Sequence, residues 1–129
     1  MVMENGHRVL IVDDAPWVSD TLAVIFSTSG YDAKALRTAE DASVEIRLRP
    51  PALVILDVML PGMNGVDLAI SIIEDYPLTR ILLFSGRDRA FAIVDEAAKR
   101  GFFFELLTKP VPPKVMLARA ERMLATWKT

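Results

Sequence analysis

Five side chains suited to metal or phosphoryl chemistry stand at the ends of four short apolar runs. Asp13 and Asp14 follow RVLIV, Asp57 closes LVILD, Ser85 follows RILLF, and Lys109 follows the run that ends in LLT. Three carboxylates held close together repel one another, and a divalent cation with oxygen ligands relieves that repulsion. Mg²⁺ fits best, because it usually keeps several waters and takes one or two carboxylates plus a substrate phosphate. Faced by a lysine and a hydroxyl, such a site would bind a phosphoryl group, with Asp57 as the nucleophile that forms an aspartyl phosphate.

Each of these residues also has an ordinary structural interpretation. A lone aspartate at a strand end is usually a turn or cap residue, and Asp13 and Asp14 taken alone favour capping of the helix that follows. Lys109 alone indicates a solvated lysine, and Ser85 followed by glycine alone indicates a turn. The joint pattern favours a shared site, because the residues follow four different predicted strands.

The elements that must position these residues are visible as apolar runs that alternate with amphipathic stretches. Three of the runs are continuously apolar, which is typical of strands covered on both faces of a parallel sheet. Strands that alternate with helices in this way predict an α/β fold, with (βα) repeated five times and right-handed crossovers. In such a sheet, binding sites lie beyond the carboxyl ends of the strands. The predicted strands are residues 8–13, 31–36, 53–57, 80–84 and 102–107.

Helix starts are marked by capping residues. Thr38, with Asp41 three residues later, predicts the start of the second helix, and Asn64 or Gly65 predicts the start of the third. The first helix is predicted to stop at Gly30, since glycine is the common residue just beyond a helix end.

Composition bounds the function further. The 129 residues suit one domain, residues 1–129 with a core of about residues 8–127, and 52% hydrophobic with 25% charged residues excludes general disorder. The chain has no cysteine, which excludes disulfides and thiolate metal sites. Its single histidine, His7, nearly excludes Ser-His-Asp catalysis. A net charge of −2 does not suggest nucleic-acid binding. No apolar run approaches a membrane span, so we expect a cytoplasmic protein without a membrane partner.

The sequence resembles the receiver domain of two-component response regulators over essentially its whole length. The most specific stretch is LVILDVMLPGMNG at residues 53–65, in which proline stands four residues after Asp57 and glycine eight after it. IVDD at residues 11–14, LFSG at 83–86 and TKP at 108–110 complete the pattern. The resemblance implies a flavodoxin-like, doubly wound five-stranded parallel sheet with the strand order 2-1-3-4-5.

The resemblance also implies roles for the site residues. Asp57 would accept a phosphoryl group from a histidine kinase or phosphotransfer protein, and the domain would catalyse only its own phosphorylation and slow dephosphorylation. Asp13, Asp14, Asp57 and the backbone carbonyl of Met59 would surround Mg²⁺. Ser85 and Lys109 would bind the phosphoryl oxygens. Phosphorylation would switch the surface of the fourth helix, fifth strand and fifth helix.

Further implications concern the bond after Lys109 and the partners. The Lys109–Pro110 bond would be cis, an isomer found in about 5–6% of X-Pro bonds. The switched surface would contact a downstream protein target or form a homodimer, with no direct binding of nucleic acid. Because the predicted fifth helix ends about where the chain ends, we expect a stand-alone receiver, with an excised domain as the alternative.

Four positions depart from the family pattern or vary within it. Leu106 stands three residues before Lys109, where the family has a switch tyrosine or phenylalanine, and the segment before it has one residue more than usual. A bulge or a lengthened loop could bring Phe104 near the aromatic position, although core packing is the favoured role. We expect Met59 and Arg87, two residues after Asp57 and Ser85, to shield the acyl phosphate from water.

Three alternative functions compete with that of a phosphorylated receiver. A phosphohydrolase with an aspartyl nucleophile usually needs a second aspartate two residues on, where this chain has Met59. A flavin-binding protein needs a Ser/Thr/Gly-rich phosphate loop after the first strand, and Asp13 and Asp14 would repel a phosphate there. The third alternative is a receiver that acts only as an interaction module, and Leu106 in place of the switch aromatic keeps this alternative under consideration.

Overall fold

Five of the strands form one parallel sheet, and two short strands form a separate hairpin. The computed structural model describes residues 6–86 and 88–127, without the side chains of residues 88, 89, 126 and 127. The strands are β1 (Arg8–Val12), β2 (Asp32–Leu36), β3 (Leu53–Asp57), β4 (Met59–Leu60), β5 (Met63–Asn64), β6 (Arg80–Ser85) and β7 (Glu105–Thr108). The helices are α1 (Pro16–Thr28), α2 (Ala39–Leu48), α3 (Gly65–Asp75), α4 (Asp88–Lys99) and α5 (Pro113–Trp127).

The sheet has the order β2-β1-β3-β6-β7, and all its pairs are parallel. This confirms the predicted α/β fold and its 2-1-3-4-5 order. The central strand β3 is buried at every position, which explains why its run LVILD does not alternate with polar residues. Since parallel strands end at the same edge, β1, β3, β6 and β7 bring their last residues together.

Two apolar layers cover the sheet. On one face, residues such as Leu10, Val54 and Leu83 pack with α2, α3 and α4. On the other face, residues such as Ile11 and Ile55 pack with α1 and α5. The alternation of side chains along each strand therefore divides the core between the two faces. Among the described residues, no helix is both long and apolar enough to cross a bilayer.

The helix starts agree with two of the sequence predictions and differ from a third. The hydroxyl of Thr38 accepts a hydrogen bond from the amide of Asp41, and the Asn64 side chain accepts one from Val66. By contrast, Ala15 is the N-cap of α1 and makes no side-chain cap bond. The capping interpretation of Asp13 is therefore wrong, since its carboxylate binds the amide of Ala15, before the helix begins.

The last strand differs from its prediction because residues 102–104 precede it. The helix α4 ends in a turn in which Gly101 has φ of 93° and the amide of Phe102 donates to the carbonyl of Ala97. Phe103 is 80% exposed, so β7 begins only at Glu105. The β4–β5 hairpin was not predicted, because two-residue strands lack a periodic signal.

Candidate functional site

Three carboxylates meet at the carboxyl end of the sheet. Asp57 is the last residue of β3, and Asp13 and Asp14 follow β1, which is its neighbour. One ligand oxygen from each carboxylate lies within 4.8 Å of the others. Asp13 and Asp57 are buried at 0% and 5% exposure, whereas Asp14 is exposed. Hard oxygen ligands open to water on one side are the donor set that Mg²⁺ prefers, so these residues fit a magnesium ion.

Backbone amides fix one oxygen of each buried carboxylate. The amide of Ala15 donates to Oδ1 of Asp13 at 2.8 Å, and the amide of Met59 donates to Oδ1 of Asp57 at 3.1 Å. The second oxygen of each residue is bound by the ammonium of Lys109, at 2.9 Å for Asp13 and 3.2 Å for Asp57. Each carboxylate thus keeps one oxygen turned toward the lysine.

Lys109 reaches this position from the residue after β7. Its amide donates to the carbonyl of Ser85 at 2.9 Å, and the bond to Pro110 is cis. Gly86 lies beside the lysine stem, because a Cβ added there would stand 3.4 Å from the Lys109 Cβ. The side chain is 29% exposed, so the ammonium is partly screened by water.

Burial and the ion pairs shift the pKa values of the central pair. Desolvation raises the pKa of Asp57, and the Met59 amide and the charge of Lys109 offset this only in part. For Lys109, burial lowers the pKa, but the hydrogen bond to Asp13 and the charge of Asp57 outweigh it, so the pKa is raised above 10.5. The ammonium is therefore charged throughout the physiological range.

Ser85 lies at the same sheet edge as the carboxylates. It is the last residue of β6, is 3% exposed and pairs in register with Thr108. The residue before it, Phe84, pairs in register with Asp57. Ser85 is therefore placed one residue beyond the acceptor level, between the strands that carry Asp57 and Lys109.

Gly65 supports the acceptor, a role that the sequence analysis does not assign to it. Its amide donates to the carbonyl of Val58 at 2.7 Å. A Cβ at this position would stand 2.3 Å from the carbonyl oxygen of Asp57, so the close approach of α3 requires glycine. The signal was present in the sequence as the glycine eight residues after Asp57.

The candidate switch and tuning residues lie in different environments. Leu106 pairs with Leu83 inside β7, and Phe104 precedes the strand; both are half-buried and pack against the core on the α2–α3–α4 face. The register of β7 is continuous from Glu105 to Thr108, so the strand itself contains no bulge. Met59 is half-buried beside Asp57, and Arg87 lies outside the described residues.

A groove of about 430 Å³ opens next to the lysine, between α1 and the start of α5. Lys109 and Pro110 line it together with Trp17, which is 76% exposed. The groove wall is largely apolar, so the acidic pocket has an apolar neighbour on the α1 side.

Comparison with known proteins decides the family. The family model described as the response regulator receiver domain matches residues 9–121. The chain belongs to this family. It is therefore a receiver domain of two-component response regulators, which are signalling proteins that work with histidine kinases and downstream targets.

Similar proteins and structures support the assignment. The chain is 34% identical over 123 residues to the nitrogen assimilation regulatory protein NtrX of Azorhizobium caulinodans, covering 94% of this chain and 27% of that protein. It is 29% identical to the DNA-binding response regulator MtrA of Mycolicibacterium smegmatis, covering 92% of this chain and 50% of that protein. This receiver thus spans half or less of the length of these relatives.

Among solved structures, the receiver domain of NtrX from Brucella abortus superposes with a TM-score of 0.80 at 30% identity, covering 92% of this chain and 98% of that chain. The BeF3-activated DrrB receiver domain superposes with a TM-score of 0.79 at 27% identity, covering 92% and 97%. Both are isolated receiver domains, so nearly the whole of each superposes on this receiver.

Proposed function

We propose that this receiver takes a phosphoryl group onto Asp57 from the phosphohistidine of a histidine kinase or a phosphotransfer protein. The observation that carries the proposal is the environment of the Asp57 carboxylate. One oxygen is fixed by the Met59 amide, and the other lies 3.2 Å from the charged Lys109 ammonium at the rim of a metal-fitting acidic cluster. A nucleophile held in this way needs no general base, because its carboxylate is already ionised once the pH exceeds its pKa.

In the proposed reaction, Oδ2 of Asp57 forms a bond to phosphorus while the phosphorus–nitrogen bond of the donor breaks. The electron pair of that bond stays on the ring nitrogen, which takes up a proton. Lys109 would bind a phosphoryl oxygen because its ammonium already lies beside Oδ2, and Ser85 would donate a hydrogen bond from the end of β6. Asp13, Asp14, Asp57 and the Met59 carbonyl would hold Mg²⁺. When bound, the ion offsets charge on the phosphoryl oxygens.

The experiment that tests this function is intact mass spectrometry after incubation with acetyl phosphate. We expect one added phosphoryl group that requires Mg²⁺ and is lost in Asp57→Asn. The matched control is Asp67→Asn, since Asp67 is an exposed aspartate on α3 outside the acidic cluster. If the folded protein shows no phosphoryl group with acetyl phosphate, and binds no beryllofluoride with Mg²⁺, it would instead be an interaction module independent of phosphorylation.

We further propose that Met59 and Arg87 lengthen the life of the acyl phosphate by restricting water. Met59 is half-buried two residues after Asp57 and its amide binds the Asp57 carboxylate, so its side chain starts next to the acyl phosphate that would form there. Met59→Asn should speed dephosphorylation severalfold in a decay assay after removal of the donor. An unchanged decay rate would contradict the proposal for Met59.

The output surface of this single receiver domain is proposed to be formed by α4, β7 and α5, which would bind a downstream protein or a second copy. In the described structure, Arg119 on α5 binds Glu105 on β7 at 2.7 Å, and the exposed Phe103 precedes that strand. Glu105 lies on β7, the strand that Lys109 directly follows, so movement of the lysine would reach this ion pair along one strand. Hydrogen exchange with and without beryllofluoride should change in β7 and α4, and unchanged exchange there would contradict this surface.

A further inference from the structure

The ring of Phe84 lies against the ammonium of Lys109 in the centre of the site. The Nζ atom of Lys109 stands 4.7 Å from the ring centroid, within the ~6 Å over which a cation is attracted to an aromatic ring. Phe84 is 1% exposed, so its ring is shielded from solvent. The interaction adds a third contact to an ammonium already bound to Asp13 and Asp57.

The position of Phe84 is set by the same strands that set the acceptor. It pairs in register with Asp57 on one side and with Leu107 on the other. Its carbonyl also accepts a hydrogen bond from the amide of Val58 at 3.1 Å. Because residues in register on parallel strands point to the same face, the ring and the acceptor carboxylate share the α1–α5 face of the sheet. Phe84 is also part of the packed core on that face, which holds the ring in place.

Lys109 needs such a support because a lysine side chain is long and has many rotamers. Its contact with Asp57 depends on the charge of that carboxylate, which changes when the residue is modified, whereas its contact with Asp13 does not. The contact with the ring does not depend on that charge. Phe84 can therefore keep the ammonium beside Oδ2 of Asp57 both before and during phosphoryl transfer.

We infer that Phe84 is a positioning residue whose ring face holds the Lys109 ammonium at the acceptor carboxylate. The inference rests on the proposed phosphorylation of Asp57. The sequence pattern predicts Asp57 and Lys109 as site residues. A phenylalanine within an apolar strand, by contrast, predicts only a core residue. The assignment follows from the contact between the ring and the ammonium.

The test changes the charge distribution of the ring while nearly keeping its shape. Phe84 is replaced by mono-, tri- and pentafluorinated phenylalanine, and the rate constant for phosphorylation by acetyl phosphate is measured at saturating Mg²⁺. Fluorine withdraws electron density from the ring face, so the rate should fall stepwise, by roughly three- to tenfold for the pentafluorinated ring. The matched control is Phe26, which is 0% exposed in the same core layer and has its ring against Tyr31, at 5.3 Å between centroids.

The outcomes separate this inference from the function on which it rests. A graded fall at position 84 with a flat series at position 26 supports the positioning role. A flat series at position 84, in a protein that is still phosphorylated on Asp57, overturns it. An equal fall at both positions also overturns it, because that result reflects core packing. Failure of the unmodified protein to accept a phosphoryl group would overturn the proposed function itself.

Discussion

At the scale of single residues, the positively charged Lys109 lies between two buried carboxylates and offsets their charge. Its ammonium binds one oxygen of Asp13 and one of Asp57, while backbone amides bind the other two. A carboxylate pair without such a partner would be repulsive, so the lysine stabilises the site in the absence of a metal. The proposed binding of Mg²⁺ by the same carboxylates would therefore compete with the lysine.

Replacing the lysine tests this competition. Lys109→Met should lower the free energy of unfolding by about 1–3 kcal/mol without Mg²⁺, less than for a fully buried pair because the side chain is 29% exposed. The rise in Tm caused by Mg²⁺ should be larger in the variant than in the wild type, because nothing competes with the ion. Thermal unfolding over a Mg²⁺ series measures both, with Lys114→Met on the exposed part of α5 as control. Identical Mg²⁺ responses in the two proteins would argue against competition.

At the scale of elements, the close approach of α3 to the end of β3 fixes the acceptor backbone. Gly65→Ala places a Cβ 2.3 Å from the carbonyl oxygen of Asp57, so the segment after β3 must shift. We expect a loss of about 1–3 kcal/mol in unfolding free energy and slower phosphorylation, although alanine by itself favours a helix. Urea unfolding checks this against Gly86→Ala, where the nearest atom is the Lys109 Cβ at 3.4 Å, an ordinary van der Waals distance. A variant as stable as the wild type would show that α3 can move away from β3 without loss of unfolding free energy.

Glu45 joins α2 to β1 and β2 and makes stability depend on pH. Hydrogen bonds from Lys34 and Arg8 lower the pKa of its carboxyl below 4.5. A lowered pKa means stability that is present above 4.5 and lost as the pH falls through the folded-state value. Glu45→Gln should therefore be less stable than the wild type at pH 7, and the difference should vanish in acid.

The measurement for this prediction is the unfolding midpoint in urea across a pH series. Glu40→Gln provides the control, since Glu40 is an exposed glutamate in the first turn of the same helix. A difference between Glu45→Gln and the wild type that stays constant down to low pH would show that packing, rather than charge, is responsible.

The sequence predicted those elements whose local signals agree with the fold. The continuous run at β3 and the caps at Thr38 and Asn64 have one physical interpretation each, and the structure confirms them. The start of β7 was misplaced because three consecutive phenylalanines suggest a strand, whereas the turn after α4 leaves Phe103 exposed. Two details of the site could not be predicted: which carboxylate oxygens bind Lys109, and the position of its ammonium over the ring of Phe84. Both depend on contacts between residues far apart in the sequence, which a local sequence pattern does not predict.

At the scale of the whole molecule, one sheet with helices on both faces brings residues 13, 57, 85 and 109 to a single edge. The sheet places them by the rule that parallel strands end together, so the acidic pocket is a direct consequence of the strand order. The receiver family is shown by the match over residues 9–121. The relatives are longer proteins, so the partner of the α4–β7–α5 surface is a matter of proposal.

Localising the phosphoryl group tests the central claim most directly. The protein is incubated with acetyl phosphate and Mg²⁺, reduced with borohydride, which converts an aspartyl phosphate to homoserine, and digested for peptide mass spectrometry. The account predicts homoserine at position 57, with Asp13 and Asp14 unchanged. Homoserine at position 13 or 14, or a stable phosphate on a serine or threonine, would contradict it.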